Sequence, residues 1–410
     1  MAAIKTRPSD LQDLEYFGAN PVMYNKHKET YMFISITDTK NKPFIKEESF
    51  LQNRYRVISR SGLSVTEIQF FEVLKGLISP KRILFLENRT GVCGIIARSL
   101  YPEAEITIHC IDLYYANKIK KNLAKNGSPT IEVVCKPYIE QKDFYDTIFL
   151  QFSKSTITRE LASDLLQQTH QALQPAGKCF LSIEGNDTWV HKQAEKLFGG
   201  YSVLLQNRTG CCLGAQKRGK LKRARNFQAE CIATIFGKKA VRLITIPGIF
   251  SHREVDEGAL ALAEIASGDA SPGDTVFDMG CGCGVVGISI AVNQHINNVC
   301  FVDSNSRATY VTEKNCLLNN LEHYEVRLSD QGVEEDGNFS LFTGNPPYFS
   351  HYKISELFIC TAHKVLKQGG RAFIVAKTAS WHYTFMKNVF GNAERIRRRG
   401  YEIVKSVKYS

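Results

Sequence analysis

The 410-residue sequence contains no run of about 18 uninterrupted apolar residues, the length a helix needs to cross a bilayer. It does not open on the apolar stretch of a secretory signal either, because Asp10, Asp13 and Glu15 interrupt the first sixteen residues. None of its twelve cysteines forms a CxxC pair; the closest sets, Cys211 with Cys212 and Cys281 with Cys283, lack the spacing of a zinc site. No metal is therefore expected, the thiols read as reduced, and the expected compartment is the cytoplasm, with no membrane partner. What is present is ordinary globular composition, 43% apolar and 23% charged, in a chain long enough for two or three domains. The net charge of +11 gives a positive average potential that favours a polyanionic partner.

The sequence contains the same pattern twice. His170-Gln-Ala-Leu-Gln-Pro-Ala-Gly-Lys-Cys-Phe-Leu181 aligns with His363-Lys-Val-Leu-Lys-Gln-Gly-Gly-Arg-Ala-Phe-Ile374 at a constant shift of 193, and both read as helix, turn, strand. Trp189 with Phe198-Gly199 matches Trp381 with Phe390-Gly391, and Ile111-Asp112 matches Val302-Asp303. Each half alternates short apolar strands with stretches of helical length, the βαβ pattern of a mostly parallel, doubly wound α/β sheet. In the second half the expected strands are 275–278, 298–303, 325–328, 340–343 and 371–376. Between the halves, six of the nine residues 217–225 are basic, which reads as a linker. The expected organisation is an N-terminal extension over 1–79, one domain over 80–216, a basic linker over 217–229 and a second domain over 230–410. The extension carries strand-like residues 31–36 and a helical stretch over 64–75.

Val276-Phe-Asp-Met-Gly-Cys-Gly-Cys-Gly-Val-Val-Gly287 follows an apolar strand and opens a helix. Gly280, Gly282 and Gly284 let the backbone turn tightly and approach a ligand. Alone, Gly282-x-Gly284-x-x-Gly287 also fits a nicotinamide dinucleotide. Asp278 before the loop and Asp303 at the end of the next strand offer carboxylates to the hydroxyls of an adenosyl ribose, Asp303 being equally placed to cap the helix that follows it.

Thr343-Gly-Asn-Pro-Pro-Tyr348 narrows the chemistry. Paired prolines fix the backbone and remove two N–H donors, which leaves carbonyl oxygens to accept. The Asn345 side chain and the Pro346 carbonyl can hold both hydrogens of an exocyclic amine and aim its lone pair at a sulfonium methyl group. Tyr348 offers a stacking face for an extruded base. Nothing in hydride transfer calls for this tetrapeptide. Ser251, His252 and Asp256 lack the nucleophile elbow of a hydrolase.

Leu243-Ile-Thr-Ile-Pro-Gly-Ile-Phe-Ser251, Asp256-Glu-Gly258, the glycine loop, Val302-Asp303 and Gly344-Asn-Pro-Pro-Tyr348 together resemble the bacterial ribosomal RNA guanine-N2 methyltransferases, over roughly residues 80–410. Tyr348 stands where members often carry Phe, and Ala259 where a hydroxyl residue is usual. The resemblance implies two tandem Rossmann-like class I methyltransferase domains, of which only the C-terminal one is catalytic. It implies S-adenosylmethionine as cofactor, ribosomal RNA as partner, and a place in rRNA processing during ribosome biogenesis. Asp278, Gly280, Gly282 and Gly284 would then shape the cofactor loop, Asp303 hold the ribose and Asp330 meet the adenine amine, with Asn345 bordering the cofactor as well and Asn345, Pro346 and Tyr348 handling the base. Adenine-N6 and protein glutamine-N5 methylation share these motifs, and a non-catalytic RNA-binding or ribosome-assembly factor is the reading outside enzymology.

The first half departs where chemistry would need it. The glycine loop is replaced by Leu84-Phe-Leu-Glu-Asn-Arg-Thr-Gly-Val-Cys-Gly94, in which Arg89 would crowd a ligand, and residues 149–155 contain no proline. The first domain is expected to be a scaffold or RNA-docking surface. The basic stretches 217–225 and 395–399 are the candidate phosphate contacts. A non-catalytic first half predicts that Asp112→Ala leaves cofactor affinity unchanged, as measured by titration calorimetry.

Overall fold

The computed structural model describes residues 63–409, apart from 87–88, 154–156, 186, 222, 236–238, 297, 333–336 and 348–351, together with four short strands before residue 58. Those strands lie in a separate unit, Met1–Leu63, as two antiparallel hairpins, Pro21–Lys26 with Glu29–Ile34 and Phe44–Lys46 with Tyr55–Val57. Residues 64–410 form one compact unit that holds both halves of the duplication.

Each half builds a seven-stranded sheet with the same topology. In the second half the order across the sheet is Tyr324–Leu328, Val299–Asp303, Val276–Met279, Phe339–Gly344, Leu366–Ala376, Tyr401–Val407 and Glu394–Arg398. The first five strands run parallel, and the last two are an antiparallel hairpin. The first half repeats it as Glu132–Cys135, Glu105–Cys110, Arg82–Leu86, Tyr145–Phe152, Leu173–Glu184, Gly210–Gln216 and Ser202–Gln206. The parallel strands match the expectation from sequence to within a few residues, because strands buried on both faces read as continuous apolar runs. The closing hairpins and the hairpin Ala229–Ala233 with Val241–Thr245 were not expected.

Helices cover both faces of the second sheet. Glu257–Asp269 and Val285–Gln294 pack against one side, around Leu262, Ile288 and Phe301. Lys353–Val365 and Ser380–Phe390 cover the other, around Phe277, Phe342 and Ile359. Each such side chain, fully removed from water, contributes about 1.5–3 kcal/mol of transfer free energy. The repeated Phe-Gly pairs have a backbone cause: Gly199 and Gly391 end equivalent helices in the left-handed conformation, at φ 73° and 76°.

The boundary expected at residue 79 moves to 63/64. Helix Val65–Lys75 is capped by Ser64 in a reciprocal box with Glu67, and its Phe70 and Leu74 are buried in the first half, Phe70 meeting Phe149 edge-on at 4.9 Å.

The two halves meet edge to edge at equivalent strand ends. Leu113 N donates to Ser304 O (2.8 Å) and Ser306 N donates to Ile111 O (2.7 Å), an antiparallel bridge centred on Asp112 and Asn305. Beside it the fully buried Arg307 reaches Asp164 of the first half (2.7 Å), donates to Pro247 O (2.7 Å) and lies over the Tyr138 ring. Arg253 pairs with Glu160 at 2.8 Å. Removing one member of a buried ion pair strands the other charge. Asp164→Ala should therefore lower stability by about 3–5 kcal/mol in urea denaturation. The apolar double replacement Asp164→Leu/Arg307→Met should recover most of that loss.

Candidate active site

Three strand ends of the second sheet converge. Met279 pairs with Val302 on one side and Gly344 on the other, so Gly280, Asp303 and Asn345 leave adjacent strands side by side. Gly280 N donates to Val302 O (2.7 Å), which folds the loop back over the sheet edge. Gly280, Gly282 and Gly284 take φ values of 69°, 58° and 81°. At Gly280 a Cβ would stand 2.8 Å from the Phe358 ring. At Gly282 nothing lies within 4 Å of that position, so the loop opens to the cleft there. Gly284 is the cap of helix Val285–Gln294 and supplies no side chain to it.

Asp303 holds this loop from the next strand. One carboxylate oxygen accepts from Gly282 N and the other from Asn305 N, both at 2.9 Å. The cap of helix Ser306–Leu318 is Asn305, so the capping role weighed for Asp303 falls two residues later. Asp278 sits below the loop. It is 2% exposed, and its two oxygens accept from Gly287 N (3.0 Å) and Thr343 Oγ1 (2.9 Å), tying the glycine loop to the Asn345 strand. That placement makes Asp278 a brace for the loop rather than a group facing the cleft. Asp330 accepts from Asn117 Nδ2 of the first half at 3.0 Å. Pro346 is buried behind Asn345, and Tyr348 lies outside the described residues.

Asn345 has a partner that sequence reasoning missed. Its Nδ2 donates to Asp256 Oδ2 at 2.9 Å, while the same oxygen accepts from Ala259 N (2.7 Å) as the cap of helix Glu257–Asp269. A carboxylate only accepts, so this contact fixes which end of the amide faces Asp256 and turns Oδ1 the other way. Among the described residues Oδ1 carries no hydrogen bond. The signal was present in sequence as the acidic residue of Asp256-Glu-Gly258, but 89 residues separate the partners.

The first half has lost these features selectively. Gly91 and Gly94, the counterparts of Gly284 and Gly287, remain where a Cβ would strike Ile119 and Ile108 at 2.8 Å. At the counterpart of Gly282 stands Arg89, stacked over Tyr115. The buried Asp278–Thr343 bridge is replaced by Phe85 stacked on Phe149 at 4.9 Å. His252 lies 3.0 Å from Thr245 and 3.1 Å from Glu160, at the junction of the halves and not in a nucleophile array.

Residues 240–405 match the family model of the methyltransferase small domain. That match falls within the second half of the chain. The chain is 26% identical to the ribosomal RNA small subunit methyltransferase C of Pseudoalteromonas translucida (strain TAC 125), over 72% of this chain and 85% of that protein. It is 30% identical to the ribosomal RNA large subunit methyltransferase G of Yersinia pestis (strain Pestoides F), over 39% of this chain and 42% of that protein. A 16S rRNA N2 methyltransferase of T. thermophilus, solved with AdoMet and guanosine, superposes with a TM-score of 0.71 at 19% identity, covering 87% of this chain and 96% of that one. The family expected from the motifs is the one these relatives represent, and the tandem α/β fold is shared.

Burial pushes the Asp278 carboxyl up to about 7, only partly offset by its bonds to Gly287 and Thr343. The folded state therefore holds this proton more tightly than the unfolded chain does. The cost of burial is absent below about pH 4 and grows as the pH rises to 7, so this group's contribution to stability falls across that window. Asp278→Asn removes the titration. The urea midpoint of the variant relative to the native chain should improve from pH 5 to pH 8; parallel profiles would show that Asp278 does not titrate there.

Proposed function

We propose that the chain transfers the methyl group of S-adenosylmethionine to the exocyclic N2 amine of a guanine in ribosomal RNA, with residues 230–410 as the catalytic domain and residues 80–216 as a degenerate copy. The observation that carries this reading is the tether of Asn345 to Asp256 beside the glycine loop. It presents a side-chain oxygen, not an amino group, where the Pro346 carbonyl follows in a rigid backbone.

The residues fit the cofactor. Gly282 opens the loop where a side chain would project, Asp303 borders it with a carboxylate for the ribose hydroxyls, and Asp330 stands one strand further for the adenine amine. S-adenosylmethionine supplies a methyl group on a sulfonium, electrophilic enough for a neutral amine. Asn345 Oδ1 and the Pro346 carbonyl would accept the two amine hydrogens, draw the nitrogen lone pair out of ring conjugation and point it at the methyl carbon. The nitrogen would gain the methyl group as the carbon–sulfur bond breaks with its electrons kept by sulfur, leaving S-adenosylhomocysteine, and the proton would pass from these acceptors to solvent. No strongly basic side chain is required, since the acidity of the amine rises as the new bond forms.

Among the described residues no helix is long and apolar enough to cross a membrane. We place the protein in the cytoplasm with its ribosomal substrate. The exposed Arg218, Lys220 and Arg223 of the linker supply phosphate-facing charge. Of the second basic cluster, Arg398 and Arg399 are engaged with Glu264, and Arg395 lies over Tyr383. That cluster is an edge strand locked to helix Glu257–Asp269, which leaves the linker as the stronger RNA contact.

Asn345→Ala should reduce methyl transfer by about 10²–10³-fold, the loss typical of a transition-state hydrogen-bonding group. Cofactor affinity by calorimetry should stay within a factor of about two. Digestion of methylated RNA should yield N2-methylguanosine. N6-methyladenosine, or label in protein, would replace the guanine assignment, and a chain that binds no cofactor would point to an assembly factor.

A further inference from the structure

The degenerate half supplies part of the cofactor pocket it no longer has. Asn117 lies on helix Leu113–Lys125 of the first half, which Asp112 caps as Asn305 caps the equivalent helix Ser306–Leu318; at the shift of 193 it is Cys110, not the Asp112 matched from sequence, that stands at the place of Asp303. Its Nδ2 donates to Asp330 Oδ1 across the junction at 3.0 Å. Asp330 follows strand Tyr324–Leu328 and sits beside Asp303, whose carbonyl accepts from Ser329 N at 2.9 Å. The adjacent turn is clamped from the same side. Ser304 Oγ donates to Asp112 Oδ2 (3.3 Å), Ser304 O accepts from Leu113 N, and Ser306 Oγ donates to Ile111 O (2.8 Å). Asp330 is therefore seated directly by an atom of the other half, and Asp303, held by Gly282 N and Asn305 N of its own half, is followed by a turn that the other half clamps.

We propose that Asn117 is a positioning residue for the adenine subsite: by occupying one oxygen of Asp330 it aims the other at the exocyclic amine of the adenosyl group. This rests on the methyltransferase reading above. The chemistry is that of a split carboxylate. A lone aspartate on an exposed strand end samples several rotamers, and one fixed donor removes that freedom before the ligand arrives. Asn suits the place, since its amide donates without adding a charge that would compete with a cationic sulfonium. Asp112 belongs to the same clamp through Ser304 Oγ, and no hydrogen bond among the described residues joins it to Asp303.

The test compares two ligands, S-adenosylhomocysteine and its inosyl analogue, which carries a carbonyl in place of the adenine amine. The native chain should prefer the adenosyl form. Asn117→Ala should narrow that preference about five- to ten-fold, part of the worth of one charge-assisted hydrogen bond, with the melting temperature unchanged. Asn117→Asp, which sets a second carboxylate against Asp330, should narrow it at least as far, and Asn117→Gln should recover part of it. An unchanged ratio in Asn117→Ala overturns the proposal even if both affinities drop together, because a purely structural role lowers both alike. A native chain that binds neither ligand overturns the methyltransferase reading itself, and the proposal with it.

Discussion

The antiparallel bridge between Ile111–Leu113 and Ser304–Ser306 is the constraint from which the geometry of the site follows. Its two backbone hydrogen bonds join the ends of equivalent strands in the two halves, so the halves meet at the edge where doubly wound sheets bind ligands. Ser304 is the residue after Asp303, and Asp303 in turn holds Gly282 N. A rigid-body shift between the halves would thus be felt at the glycine loop two hydrogen bonds away. The buried Arg307–Asp164 pair and the surface Glu160–Arg253 pair make such a shift costly, the first far more than the second.

Duplication followed by divergence accounts for which features the halves still share. Gly91 and Gly94 persist because a Cβ at either place would strike a core isoleucine, a cost that does not depend on a ligand. The counterpart of Gly282 faced open space, so an arginine there met no packing penalty once binding no longer mattered, and Arg89 now lies flat on Tyr115. The Asp278–Thr343 bridge is a polar pair in a dry place and destabilises unless the loop it braces is useful. In the first half the stacked Phe85 and Phe149 fill that place with apolar contact.

The fold was legible because parallel strands buried on both faces carry unbroken apolar runs, and because the shift of 193 exposes the repeat. The closing strands were not. Ser202–Gln206 is largely exposed and Glu394–Arg398 is rich in arginine, so neither shows the alternation that marks a strand. Residues 395–399 read as a phosphate site for that reason, while Arg398 and Arg399 reach back to the same buried Glu264, and Arg399 also to Glu257 two turns earlier on the same helical face. Of the site, the glycine loop, Asp303 and Asn345 were visible as local motifs. Asp256 and Asn117 were not, because their meaning lies in partners 89 and 213 residues distant. Local chemistry can be read from a sequence; the groups that orient it depend on the assembled fold.

The electrostatics of the edge bear on which cofactor the loop suits. Asp112, Asp303 and Asp330 lie close enough that Asp303 and Asp330 add to the burial that raises Asp112 to about 6. Among the described residues, none of the three is paired with a lysine or arginine; their hydrogen bonds come from neutral donors, namely Tyr114 N, Ser304 Oγ, Gly282 N, Asn305 N and Asn117 Nδ2. Neutral donors steady a carboxylate without cancelling its field, so the pocket edge stays negative. That field attracts a ligand with a sulfonium cation and many hydroxyl and amine donors, and it opposes the diphosphate of a nicotinamide dinucleotide. The glycine spacing alone fits either ligand. The uncompensated carboxylates, one of them held by Asn117 of the first half, favour the sulfonium.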